Sequence, residues 1–148
     1  MGTTILAYIN MIVMGSIGLI HFYWAFGGKW GIDQAVPATD QGDKVLRPGL
    51  LACVVVALGL MAFALFYLMI RSDAAVLLPS FLWRWGAPVL AGIFTMRALG
   101  DFKYVGVFKQ IKTTVFAKMD TRYYTPLCLY LGASNAWIAL ENLGIMTK

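Results

Sequence analysis

Charge is the scarcest property of this 148-residue chain: Asp, Glu, Lys and Arg supply 13% of it, while 60% of the residues are hydrophobic and the mean hydropathy is +0.73. Soluble domains carry about a quarter charged residues, so this composition excludes an ordinary water-soluble domain and names lipid as the solvent. Cysteine is nearly absent as well, with only Cys53 and Cys128. Without a C-x-x-C pair there is no dithiol centre, and no H-E-x-x-H, P-loop or nucleophile elbow marks a familiar catalytic site. His21 is the one histidine. With the two cysteines it would supply ligand types that zinc accepts, but their spacing forms no metal motif. Haem ligation by His21 and a methionine is set aside because Met is commonly packing material. No metal and no cofactor is therefore expected. Apolar and polar residues do not alternate over runs of about ten, which excludes a transmembrane barrel.

What the chain does have is long apolar runs, at about residues 4–26, 49–70, 81–100 and 123–144. The first is 23 residues without a charge, about 34 Å as a helix against a hydrocarbon core of about 30 Å. No basic residue precedes it and Gly27, Gly28 and Lys29 follow it, so it reads as a retained span rather than a secretory signal. Pro48 opens the second run, where a missing N–H costs little. The third is awkward: Arg84 and Arg97 enclose 12 residues, about 18 Å of helix, so they need snorkelling or a thinned bilayer. The expected fold class is an all-α, polytopic four-transmembrane-helix bundle forming a single membrane domain over residues 1–148. An amphipathic cytoplasmic segment is expected between helices 3 and 4. There Val105, Phe108, Ile111, Val115 and Met119 recur at roughly helical spacing, while Gly106 and the β-branched Thr113, Thr114 and Val115 oppose a helix.

Basic residues orient the bundle. The first loop has Lys29, Lys44 and Arg47 and the third has Lys103, Lys109, Lys112, Lys118 and Arg122, against Arg71, Arg84 and Lys148 on the other side. The positive-inside rule then places loops 1 and 3 in the cytoplasm and both termini outside, in a multi-pass protein of the cell inner membrane. The net charge of +5 reads as a topology signal and an attraction to anionic lipid, with no nucleic-acid partner expected.

That topology gathers polar residues into layers. His21, Arg97, Asp101, Cys53 and Cys128 fall at one depth on the cytoplasmic side, where polar groups normally face the bundle interior. Asn10, Met14, Ile17, His21 and Trp24 run down one face of the first helix. For His21 a bond to a neighbouring carbonyl competes with proton transfer and ligand binding, since histidine changes charge near neutral pH. Arg97 and Asp101 are four apart and would share a helical face with Phe94 and Tyr104. They either close the helix as an ion pair or present a guanidinium fork, oriented by Asp101, to a carboxylate or phosphate. Tyr23, Trp24 and Tyr104 would be walls, with Lys29, Arg47 and Lys103 adding charge at the mouth. Asn10, Asn135 and Glu141 form a second, thinner polar layer toward the opposite surface. Small residues at Ala87, Ala91 and Thr95, and at Gly49, Cys53 and Ala57, permit close helix packing.

Three stretches, HFYWAFGGKWG (residues 21–31), RALGDFKYVGVFK (97–109) and TVFAKMDTRYYTPLCLYLG (114–132), resemble a family of small four-span bacterial integral membrane proteins of unknown function. By that resemblance the family pattern falls on His21, Tyr23, Trp24, Gly27, Gly28, Arg97, Gly100, Asp101, Phe102, Tyr104, Asp120, Thr121, Pro126 and Cys128. It implies no substrate and no catalytic residue. The leading functional expectation is a cytoplasm-facing polar pocket that binds or transports an anionic or amphiphilic small molecule. An intramembrane lipid- or quinone-modifying enzyme, using His21 with Asp101 or Asp120 as acid and base, is the second reading. An accessory subunit of a larger membrane complex is the third. Membrane lipid is an expected partner, and a second copy of the chain or a larger membrane partner stays open.

Overall fold

The computed structural model describes residues 2–39, 41, 43–45 and 48–144. Arg47 and Lys148, which entered the charge argument, lie outside the described residues. Helix α1 is Gly2–Ala25, α2 is the short Ile32–Ala35, α3 is Leu50–Met69 and α4 is Ser80–Leu99. After a loop, α5 (Val115–Met119) runs through a π-helical turn at Asp120–Tyr124 into α6, Thr125–Asn142. The chain is all-helical, with no strand among the described residues beyond an isolated bridge between Ala38 and Lys44. The four long helices overlie the four apolar runs. Helices α1 and α3 are long and apolar enough to cross a membrane.

The bundle is two tightly packed pairs, α1 with α3 and α4 with α6, joined by a lighter seam between α1 and α6. In the first pair Gly15 faces Ala64, and Gly18 lies against Ala57 and Met61, so the helices run antiparallel. In the second, a Cβ on Gly132 would sit 2.7 Å from the Thr95 hydroxyl, which is the close approach that glycine permits. Cys53, Ala57 and Ala87 are buried. The core between the pairs is Ala7, Met14, Phe66, Tyr67, Leu90, Leu131 and Ile138. The outward faces are equally apolar. Ile5, Ile9, Ile12 and Leu19 on α1, Leu51, Val55, Leu58 and Leu65 on α3, and Phe81, Trp85, Val89 and Ile93 on α4 are all exposed at helical spacing.

The connection before α5 departs from expectation. Residues 104–113 form turns rather than an amphipathic helix. Gly100 stops α4 at φ 85° and packs against the Val105 carbonyl, and Gly106 takes φ 87°, a conformation that L side chains rarely adopt. Asp101 then captures the N–H groups of Lys103, Tyr104 and Val105 on one carboxylate oxygen, at 2.7 to 3.0 Å, and draws the backbone into a turn. Phe102, inside that turn, has φ 62°. The helical spacing of the apolar residues is thus overridden by backbone chemistry.

Candidate functional site

The turn of residues 100–110 is wrapped around Asp120. This carboxylate is fully buried, at the first position of the π turn. Its Oδ1 accepts from Arg97 Nη2 at 3.0 Å, and its Oδ2 accepts from Lys109 Nζ at 2.9 Å, the Gly106 N–H at 2.9 Å and the Thr125 hydroxyl at 3.0 Å. Lys109 is buried too, and gives a second hydrogen bond to the Gly106 carbonyl at 3.2 Å. Desolvation pushes the Asp120 pKa upward, but the bonds from Lys109 and Gly106 and the charge of Arg97 outweigh it, so the group is held below the usual carboxylate range. Asp120 is therefore a buried anion held by four donors. A carboxylate kept ionised in this way is a poor base for a substrate proton.

This corrects the expected pairing of Arg97 with Asp101. Their four-residue spacing would place them together only on a continuing helix, and α4 ends at Leu99 with Gly100 breaking away. Asp101 is exposed and spends itself on its own turn. Its pKa is also held low, desolvation being outweighed by the N–H groups of Tyr104, Val105 and Lys103.

Beside the Asp120 cluster lies a cavity of about 500 Å³ between the two helix pairs. Arg97, His21, Trp24, Tyr124, Cys128 and Gln34 line it together with Met14, Ile17, Leu60, Phe94, Phe116 and Leu127. Its polar groups divide into committed and uncommitted ones. The Trp24 indole N–H donates to the Trp30 carbonyl at 2.8 Å and the Tyr124 hydroxyl to the Gln34 carbonyl at 3.3 Å, so these rings act as apolar walls. His21 Nδ1 lies 2.9 Å from the Ile17 carbonyl, which can only accept, so this nitrogen carries a proton and Nε2 is the free ring atom. Trp24 packs edge-on against the His21 ring at 4.9 Å and fixes its orientation. Arg97 Nη2 is held by Asp120, whereas its Nη1 is buried and has no hydrogen-bond partner among the described residues. No acidic side chain lines the cavity among the described residues.

Of the residues expected at the site, His21, Trp24 and Arg97 come together here, and Asp120 holds Arg97 from behind. Tyr23 lies outside, on a shallow groove with Leu19, Ile20 and Trp30, where its hydroxyl is 3.5 Å from the Trp30 N–H. Tyr104 and Asp101 belong to the loop turn, and Lys103 lies over the Tyr104 ring. Neither Asp101 nor Asp120 shares the cavity with His21, so the expected acid–base pairing does not form. The second layer is at the opposite end. Asn10 donates to Ser134 at 3.0 Å, Tyr67 to Asn135 at 2.9 Å, and Arg71 reaches Glu141 at 3.5 Å. Among the described residues no group of three His, Cys, Asp or Glu side chains is placed to hold a metal. Sequence reasoning missed Lys109, Trp30, Gln34, Phe116 and Tyr124, whereas Phe94 shares the expected face of Arg97. The one signal for Lys109 was Gly106, whose position in a basic loop marks a turn that can fold a lysine inward.

These features define an all-helical chain with two helices able to cross a membrane and a cavity beside a buried charge cluster. The chain belongs to the family described as protein of unknown function (DUF3995), whose match covers residues 14–135. That interval contains the whole cavity lining and the Asp120 cluster, and leaves out Asn10 and Glu141. No curated protein and no solved structure matches the chain.

Proposed function

We propose that this protein is a four-span membrane bundle that takes up an anionic amphiphile from the cytoplasmic side into the cavity between its helix pairs. The membrane reading is supported by the apolar outer stripes of the long helices, which in water would form an unusually large exposed patch. The orientation is supported by the basic residues of the first and third loops, the first of which lines the cavity through Trp30, Gly31 and Gln34. The observation that carries the ligand reading is the divided guanidinium of Arg97, a residue that lines an apolar-walled cavity: one nitrogen is fixed on Asp120 and the other is buried and without a partner among the described residues. A buried donor without a partner is costly, and an anionic headgroup would satisfy it with a charge-assisted bond. His21 Nε2 is a second polar contact for the same headgroup, and Trp24, Phe94 and Phe116 are walls for its apolar body.

The test is native mass spectrometry of protein extracted gently from its own membrane, with lipid and metabolite analysis of the denatured sample. Wild type is expected to carry a stoichiometric anionic amphiphile that Arg97→Ala and the milder Arg97→Lys both lose. Bulk lipid alone in wild type and folded variants would overturn the reading.

A further inference from the structure

We infer that the ligand is a single-chain amphiphile bearing one negative charge, a long-chain carboxylate, and that Lys109 sets this charge preference from behind the cavity wall. This rests on the anion-binding reading above. Arg97, Lys109 and Asp120 are one cluster, with the buried carboxylate bonded to both cations at 3.0 and 2.9 Å. Two cations and one anion sum to +1, and no acidic residue among the described ones lines the cavity to change that count. An ion withdrawn from water is tolerated where opposite charge compensates it. A monoanion brings this site to neutrality. A phosphomonoester, at about −1.5 to −2 near neutral pH, leaves negative charge uncompensated. Lys109 does not line the cavity, yet without it Asp120 would consume the whole charge of Arg97.

Size and polarity narrow the ligand further. About 500 Å³, at roughly 30 Å³ for each water-sized group, holds about 17 such groups, which matches one long chain with its headgroup. Arg97 and His21 lie toward the loop end, while Met14 and Leu60 lie deeper in the bundle. The headgroup therefore sits at the loops and the tail points inward.

Trp24 and Trp30 line the cavity, so tryptophan fluorescence of the full chain in a non-ionic detergent reports binding. The probes are hexadecanoate, hexadecyl phosphate, hexadecanol and phosphatidylglycerol, titrated at pH 8. Hexadecanoate is expected to bind at least tenfold more tightly than each of the others. Lys109→Gln, which lowers the cluster to zero, should weaken hexadecanoate at least tenfold and leave hexadecanol unchanged. Asp120→Asn, which raises it to +2, should narrow or reverse the preference for carboxylate over phosphate. Hexadecyl phosphate or phosphatidylglycerol matching hexadecanoate in wild type overturns this inference and leaves the anion-binding reading standing. Unchanged hexadecanoate affinity in folded Lys109→Gln also overturns it. Failure of every anion to bind overturns both. Where neither variant folds, the wild-type panel decides.

Discussion

At the end of the bundle where α6 finishes, polar side chains meet one another across the helix seams. Asn10 of α1 binds Ser134, Tyr67 of α3 binds Asn135, and all four are buried. The rim is looser: there Arg71 reaches Glu141 at 3.5 Å and its Nε has no partner among the described residues. At the loop end the same two helix pairs are held apart by a cavity of about 500 Å³, and the strongest polar group there, Arg97, is left half-bonded. One end uses neutral side chains to close a seam, as interhelical hydrogen bonds do in lipid. The other uses long charged ones anchored in a loop, which leaves space between the helices. Polar residues toward the two ends thus serve opposite purposes, cohesion in one layer and open space in the other.

The comparison breaks most sharply at Asp120. Asp120→Ala leaves Lys109 buried without its counter-ion and Gly106 without an acceptor, and is expected to cost about 3–5 kcal/mol in thermal or denaturant unfolding in detergent. The same carboxylate sets the acid limb. Because its folded pKa is depressed, its contribution is fully present above the unfolded value of about 3.9 and is lost as pH falls through the folded one. Asp120→Asn should therefore show a flatter stability profile below pH 4 than wild type.

At the sealed end the effects are smaller and independent of charge. Tyr67→Phe removes one hydroxyl and leaves the Asn135 carbonyl oxygen without that donor, at an expected cost of about 1 kcal/mol and with no change in ligand binding. A loss of bound amphiphile in this variant would mean that the two ends are coupled. The smallest stability effect is expected where space is open: Cys128→Leu places extra volume in the cavity and should shift stability by less than the roughly 1 kcal/mol at which overpacking of a filled core begins, while displacing the ligand. Destabilisation as large as that of a packed-core substitution would show that the cavity is closed in solution.

The positions of the long helices were legible because mostly apolar runs of about twenty residues have few alternatives, and the Met14, Ile17, His21 and Trp24 face followed from helical spacing. The partner of Arg97 was not legible. Asp101 was the better candidate by sequence distance, and Asp120 wins because Gly100 ends the helix and the loop returns the chain to α4 some twenty residues later. By sequence Lys109 is one more positive-inside charge, since burial of a lysine depends on a counter-ion that only the folded loop supplies. The aromatic walls Trp30 and Tyr124 were missed for a similar reason: they come from a loop and a helix start, where no periodicity assigns a face.

The π turn at Asp120–Tyr124 has a consequence for rotational phase. An α-helix advances about 100° per residue, so a turn that takes in one extra residue rotates everything after it relative to everything before. Asp120 on one side of that turn faces the loop, and Gly132, Ser134 and Asn135 on the other face Thr95, Asn10 and Tyr67. A regular helix through the same residues would satisfy one of these two sets of partners and swing the other toward the outside of the bundle. The extra residue thus acts as a phase shifter, letting one continuous rod keep two mismatched appointments, and removing a single position between Asp120 and Thr125 would force the molecule to choose between its seam and its charge cluster.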